Sequence, residues 1–357
     1  MFRFTIESLP NPNITQINST QLEETLRWVS HSSHVFPSCQ EKYLGDIISV
    51  DGRNINNIKA RVTKGTGIVS KILSILDGIP FGQYYFEVAL ILRSSLLLSS
   101  ILCNSESWYN VTKAELDLIE SVDLCFLRRI LNAPKSTPKE MLYLELGCIP
   151  LRHIIRKRRI LFLHYILNQE TNSLIFRFLM SQMKNRKNKD WIVQVISDLK
   201  ELKMDEDLEK IKCLKKITLR NILDNKIKEK VFEELNLLKE NHSKVKHLKH
   251  YVFEMQKYFK PCNIKITKEE AQEIFKLRSR VSDVKLNYKG KYETYECQVC
   301  KKEDESQEHI IIKCTSLNKS KEEIMKYEDI FDGNVIKKVK IARKFIENIK
   351  LREKLKL

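Results

Sequence analysis

Apolar residues recur along most of the chain at the spacing of an α-helix, and extended segments are short. Residues 42–50 alternate loosely, and Asp51-Gly52 after them suits a turn between two short extended segments. From residue 55 to residue 76 the apolar positions recur every three or four residues, and Gly78 predicts the end of that helix. The pattern therefore predicts a small hairpin followed by a long amphipathic helix.

Three later segments carry the sequence of a capping box, a Ser or Thr followed three residues later by Glu. They begin at Thr112, Thr137 and Thr267. Pro138 at the first helical position and Gly147 just past the end bound the second of these helices. We therefore predict that helices start at all three threonines.

Composition favours a globular protein that attracts polyanions. Apolar residues make up 42%, and 63 Lys+Arg against 46 Asp+Glu leave a formal net charge of +17. An excess of this size argues for a partner that is RNA, DNA or an acidic membrane. The longest apolar stretch, 88–102, is broken by Arg93 and four serines, so we predict a buried helix and no membrane partner.

Cysteine usage indicates a reducing compartment. The nine cysteines are an odd number, and six of them stand singly among apolar residues, as reduced buried thiols do. The amino terminus has no apolar core of signal-peptide length. We expect an intracellular protein of the nucleus or the cytoplasm.

The remaining three cysteines form the sharpest motif, Cys297-x2-Cys300-x8-His309-x4-Cys314. A Cys₃His set satisfies the tetrahedral preference of Zn²⁺ and leaves no open position, so the predicted zinc ion is structural rather than catalytic. We expect the apolar residues 310–312 to pack beneath it. The alternative is three separate thiols with a histidine placed by chance.

Two basic segments are candidate contacts with nucleic acid. The first lies in the helix predicted over 151–167, where Arg152, Arg156 and Arg159 share one side and Lys157 and Arg158 add to the charge. Phosphate contact and nuclear localisation are both open interpretations of this segment.

The second basic segment precedes the metal motif and interleaves cations with tyrosines. Cations neutralise phosphates, and aromatic faces stack on unpaired bases. The alternative is a solvated face with ordinary core tyrosines. The candidate residues are Lys276, Arg278, Arg280, Lys285, Tyr288, Lys289, Lys291 and Tyr292.

No catalytic constellation is evident. A polymerase or nuclease needs clustered carboxylates to hold Mg²⁺, and the chain has no adjacent Asp-Asp pair. The acidic groups at 205–207 and 303–305 are predicted to be solvated. Cys148 has His153 nearby but no third group to orient it. No small-molecule substrate is evident, and we expect no enzyme activity from this chain by itself.

Several short blocks, in this order, resemble the carboxyl-terminal part of reverse transcriptases from non-LTR (LINE-type) retrotransposons. The likeness covers residues 42–350. The blocks lie at 42–45, 49–52, 105–108, 127–131, 136–138, 143–147, 275–280, 287–292 and 308–309.

The resemblance implies a role for each part. Tyr43 and Gly45 would belong to the hairpin that grips the primer, the following helices to the thumb, and the zinc knuckle would bind RNA or target DNA. The family's catalytic aspartates lie upstream of the Tyr-Leu-Gly block, and no aspartate precedes Asp46 here. We therefore expect a nucleic-acid-binding fragment without the catalytic palm. The alternatives are part of an active RNA-directed DNA polymerase whose palm lies in a longer reading frame, or a helical protein-interaction scaffold.

The predicted fold is mainly α-helical, with a short β-hairpin, a thumb-like bundle, a helical linker, and a small Cys₃His knuckle with a helical tail. The predicted divisions are a loose leader (1–41), hairpin and thumb-like helices (42–170), a helical linker or bundle (171–266), the basic segment with the knuckle (267–317), and a charged helical tail (318–357).

Overall fold

The fold was obtained as a computed structural model, and it is mainly helical with one two-stranded hairpin, as predicted. Residues 1–38 of the predicted leader and Lys289 lie outside the described residues, whereas the last two residues of that leader belong to the first strand. The structure describes residues 39–43, 45–78, 84–187, 190–241, 253–260, 265–288, 290–318 and 326–355.

The strands are β1 (Gln40–Tyr43) and β2 (Asp46–Ser49). The helices are α1 (Ile55–Asp77), α2 (Tyr85–Leu92), α3 (Ser99–Ile101), α4 (Lys113–Leu131), α5 (Lys139–Glu145), α6 (Leu151–Leu167), α7 (Leu174–Lys184), α8 (Trp191–Glu201), α9 (Leu208–Cys213), α10 (Lys216–Asn241), α11 (Lys268–Arg278), α12 (Asp329–Asp332) and α13 (Val335–Lys354). Two π-helical segments, Arg93–Leu98 and His309–Lys313, and three short 3₁₀ turns complete the assignment.

The hairpin turns earlier than the sequence predicts. Tyr43 pairs with Asp46, so the chain reverses between these two residues, and Gly45 supplies the positive φ of +89°. The prediction that Asp51-Gly52 joins the two strands is wrong. That pair instead carries the chain from β2 into α1.

The helix predicted over 55–76 is α1, and Gly78 caps it as expected. The predicted buried helix over 88–102 is also present, as α2, a π-helical segment and α3 in continuous order. The charge in this apolar stretch has an internal partner, because Arg93 donates two hydrogen bonds of 2.7 Å to the buried carboxylate of Asp123 in α4.

Two of the three predicted capping boxes are confirmed. Thr112 and Thr267 each accept a hydrogen bond from the backbone of the Glu three residues on, and that Glu bonds back to the cap. The box at Thr137 is wrong, because α5 begins after Pro138 and the buried Thr137 hydroxyl has no hydrogen-bond partner. Gly147 follows this helix with a φ of +63°, as the left-handed residue after a helix often does.

Two hydrophobic cores meet along α6. The first joins α1 to α5 and the first half of α6 with α11, the metal-motif cysteines and α13. The second joins the other half of α6 with α7 to α10. The carboxyl-terminal segments therefore share a core with the helices that follow the hairpin. In the part of the chain that the structure describes, no helix is long and apolar enough to cross a bilayer.

Candidate metal centre and nucleic-acid interface

A small backbone hairpin presents the first two candidate ligands. Cys297 N–H donates to the Glu303 carbonyl at 2.8 Å, and Glu305 N–H donates to the Tyr295 carbonyl at 2.7 Å. Between them, Lys301 takes a positive φ of +55° and its N–H bonds to the Cys297 carbonyl at 3.0 Å. This tight turn brings both cysteines to one side of the loop.

A π-helical turn, His309–Lys313, presents the other two candidate ligands. Cys314 N–H donates to the His309 carbonyl at 2.7 Å, which closes the turn. The Ser306 hydroxyl accepts the His309 N–H at 3.0 Å and fixes where the turn begins.

The four side chains meet as the motif predicts. One ligand atom from each of Cys297, Cys300, His309 and Cys314 lies within 4.8 Å of all the others. The Cys297 and Cys314 sulfur atoms are 3.9 Å apart, and the Cys300 sulfur is 3.2 Å from Nε2 of the imidazole. Because three of the four residues are buried, the group can hold one metal ion away from bulk water.

Glu303 orients the imidazole. Its Oε2 lies 3.2 Å from Nδ1 of His309, so that Nε2 is directed to the sulfur atoms. A carboxylate on the outer nitrogen of a metal-binding histidine sets its tautomer and raises its basicity. The Glu303 side chain is 61% exposed, in agreement with the prediction that it is solvated, but its contact with the imidazole was not predicted. Its place six residues before the histidine was the only signal of its role.

The thiols of Cys300 and Cys314 differ in pKa. Burial raises the pKa of the Cys314 thiol to about 11. For Cys300 burial also opposes ionisation, but the Lys302 backbone N–H and bonds to the neighbouring ligands outweigh it and lower the pKa to about 7. A bound cation favours the thiolate form of each cysteine ligand, so metal binding releases protons from this group.

The apolar residues of the motif pack as predicted at two positions of three. Ile310 and Ile311 are buried in the first core beside the ligand cysteines. Ile312 is 38% exposed, because the π-helical turn directs it outward. The metal motif therefore packs on the first core as well as on its own residues.

The first basic segment is helix α6, at the predicted bounds, but its cations point to internal partners. Four of its five cations, all except Arg159, are half-buried and contact internal partners. Their contact with phosphate stays a prediction. The partners are Glu120 for Arg152 (2.8 Å), Asp198 and Glu201 for Arg156 (3.5 and 3.2 Å), Asp224 for Lys157, and the Leu102 carbonyl for Arg158.

Two predicted contacts require correction, because their guanidinium groups are buried in ion pairs. Arg159 is 3% exposed and donates to both oxygens of Asp198, at 2.6 and 3.0 Å. Arg278 is 2% exposed and donates to Glu145 at 2.9 Å and to two backbone carbonyls. Neither side chain can reach a phosphate in this structure.

The second basic segment divides at its middle. Lys276 is held by Glu273 at 3.1 Å, and Arg280 is half-buried with a positive φ of +52°. Beyond it lie Lys285, Tyr288, Lys291 and Tyr292, which we name the lysine–tyrosine strip. The Lys291 ammonium lies 5.2 and 5.6 Å from the two ring centroids, and Lys285 lies 5.9 Å from that of Tyr292.

The hairpin residues of the predicted primer grip stand apart from this strip in the chain. Tyr43 ends β1 and is 65% exposed, and Gly45 forms the turn that follows. Both residues are exposed to solvent, which is compatible with contact with nucleic acid. That contact stays a prediction.

One acidic prediction is wrong, and Cys148 lacks the features of a nucleophile, as expected. Glu305, assigned to a solvated group, is fully buried and accepts hydrogen bonds from Arg352 and from backbone N–H groups. Cys148 is buried, and burial raises its thiol pKa to about 11, which disfavours a thiolate nucleophile. Its sequence neighbour His153 faces Glu234 instead, at 3.4 Å.

Comparisons of the chain with models of known protein families, with curated proteins and with solved structures gave no match.

Proposed function

We propose that the protein binds RNA or DNA through the lysine–tyrosine strip, next to a structural zinc centre, without chemistry of its own. The formal net charge of +17 supports an anionic partner. The strip offers both kinds of contact that an unpaired strand needs, ammonium groups for phosphates and ring faces for bases.

Zinc is the metal that the ligand set favours. Three thiolates and one imidazole are the ligands of structural zinc sites, and four protein ligands leave no position for substrate. With Zn–S bonds of about 2.3 Å, a tetrahedral ion separates two sulfur atoms by about 3.8 Å. The Cys297 and Cys314 sulfur atoms are 3.9 Å apart.

The observation that carries the proposal is the attachment of the strip to the ligand loop. The Lys285 ammonium donates to the Glu296 carbonyl at 2.9 Å, immediately before Cys297. The Lys285 backbone N–H donates to buried Glu305 at 3.2 Å. A metal ion that orders the ligand loop would therefore also order the strip, which is what a structural zinc ion does in a binding module.

The resemblance to LINE-type reverse transcriptases supports the same proposal. In that family the corresponding knuckle contacts RNA or target DNA, so we propose that this chain is the binding portion of such a protein. The hairpin residue Tyr43 is a second proposed contact, on the resemblance and on its exposure.

The test is a gel-shift titration on single- and double-stranded oligonucleotides across a range of salt concentrations, with zinc content measured on the same protein. We expect one zinc per chain and binding that weakens as salt rises. Equal failure on both kinds of probe at low salt would contradict the proposal.

Variants of one tyrosine separate stacking from charge. Tyr292→Ala should weaken single-strand binding by about 1–3 kcal/mol per stacked base, whereas Tyr292→Phe keeps the ring and the affinity. Tyr165→Ala is the matched control, because that half-exposed tyrosine lies on α6, outside the strip. An equal loss in Tyr165→Ala and Tyr292→Ala would remove the strip from the proposed interface.

A further inference from the structure

The carboxyl-terminal helix α13 contacts the metal-ligand loop through two buried polar side chains. Arg352 is 3% exposed and donates to Glu305 Oε1 at 2.7 Å, and to the carbonyl and carboxylate of Asp283 at 3.1 and 2.9 Å. Asn348, also 3% exposed, donates its Nδ2 to the Ile310 carbonyl at 2.7 Å. The helix thus reaches into the metal motif at two separate points.

Glu305 is the link to the first ligand pair. Its side chain is fully buried. Oε2 accepts the backbone N–H of Gln298 at 3.3 Å, and Gln298 lies between Cys297 and Cys300. The carboxylate therefore holds the turn that sets the spacing of these two sulfur atoms, and Arg352 supplies the opposite charge that lets the carboxylate stay buried.

Asn348 reaches the second ligand pair. The Ile310 carbonyl that it binds belongs to the π-helical turn, one residue after His309. A second bond, from Asn348 to the Asn318 side chain at 3.2 Å, ties it to the residue whose amide donates to the Cys314 carbonyl. Each half of the ligand set is thus braced by α13.

We propose that Arg352, acting through Glu305, is a positioning residue of the metal centre, and that α13 is an integral part of that centre. The proposal rests on the zinc binding proposed above. Removal of the guanidinium leaves a buried carboxylate without its cation, which drives Glu305 toward solvent. The Cys297–Cys300 turn then loses its hydrogen bond to Glu305. Part of the free energy of metal binding must be used to order the turn, which lowers the affinity for zinc.

The test measures zinc affinity by competition with a chromophoric chelator, on the full chain with zinc alone as the ligand. We expect Arg352→Met to bind zinc at least about tenfold more weakly than the wild type, as loss of outer-sphere support does. Arg352→Lys should recover part of the loss, because lysine restores the charge but not both bonds.

Arg343→Met is the matched control on the same helix. Arg343 also pairs with a glutamate, Glu270 of α11 at 2.6 Å, but this pair has no bond to the ligand loop. The control should keep wild-type zinc affinity. If Arg352→Met lowers the unfolding midpoints of zinc-loaded and zinc-free protein equally and leaves affinity unchanged, Arg352 is merely structural and the proposal is overturned.

A double variant covers the case in which Arg352→Met does not fold. Glu305→Leu with Arg352→Met leaves no buried unpaired charge but removes the acceptor of the Gln298 N–H, so the proposal expects the zinc affinity of this variant to fall as well. Wild-type affinity in this variant overturns the proposal. A wild-type protein that binds no zinc overturns the proposed function together with this inference, whereas unchanged affinity in the variants overturns the inference alone.

Discussion

Replacing Arg159 by Met should destabilise the fold without a direct effect on nucleic-acid binding. The two side chains of the Arg159–Asp198 pair are 4% and 3% exposed and share hydrogen bonds of 2.6 and 3.0 Å. Breaking a buried pair by removing one partner costs about 3–5 kcal/mol. Arg156 stays 3.5 Å from Asp198 and offsets part of the charge, so we expect a loss near the lower end, about 3 kcal/mol.

The measurement is urea unfolding followed by circular dichroism, with three comparisons. Arg159→Met with Asp198→Leu should recover most of the loss, because no unpaired charge remains buried. Lys350→Met is the exposed control, since Lys350 and Glu269 are both more than half exposed, and its midpoint should not move. An unchanged midpoint in Arg159→Met together with weaker oligonucleotide binding would refute the internal role of this arginine.

The loss in Arg159→Met should also depend on pH in a defined direction. Burial raises the pKa of Asp198 in the folded protein, against the opposing effect of Arg159. Removing that arginine raises the pKa further, so the folded state gains affinity for the proton relative to the unfolded chain. The stability of the variant then falls as pH rises from the pKa of Asp198 in the unfolded chain to its higher pKa in the folded protein. The difference in free energy of unfolding between wild type and variant should therefore be larger at pH 8 than at pH 5.

Three further changes test local features of the fold and the site. Glu303→Gln should weaken zinc binding about tenfold in the chelator competition, because the imidazole loses its orienting carboxylate. Thr112→Ala should cost about 1 kcal/mol in urea unfolding through loss of a helix cap, whereas Thr137→Val should be neutral or stabilising, because its buried hydroxyl has no partner. Gly147→Ala should lower the thermal midpoint measurably, since a Cβ there would lie 2.4 Å from the Met255 nitrogen at a φ of +63°.

Local patterns predicted the parts of the molecule whose determinants lie close together in sequence. The bounds of α6 and the confirmed capping boxes follow from residues within a few positions of each other. The metal cluster was predictable for the same reason, because its outermost ligands, Cys297 and Cys314, are 17 residues apart. The Thr137 box failed because Pro138 takes the cap position and tertiary packing buries the threonine.

The partners of the buried arginines could not be predicted from one sequence. Arg159 and its carboxylate partner are 39 residues apart, and Arg278 and Glu145 are 133 residues apart. Before the fold is known, a cluster of cations looks alike whether it faces phosphates or internal carboxylates. The prediction that Glu305 is solvated was wrong for the same reason, because its partner Arg352 lies 47 residues further along the chain.

The difference between arginine and lysine explains how one chain uses its positive charge in two ways. A planar guanidinium satisfies both oxygens of a buried carboxylate, as Arg93 does with Asp123 and Arg159 with Asp198. An ammonium is a strongly hydrated point charge, and in the lysine–tyrosine strip it stays at the surface over aromatic rings. Formal net charge counts both groups equally, although the buried guanidinium groups of Arg93 and Arg159 are neutralised by internal carboxylates. Under the proposed function, the binding surface is therefore expected at the exposed Lys291 beside its two aromatic rings, whereas Arg159 in the basic run of α6 pairs internally with Asp198 of α8.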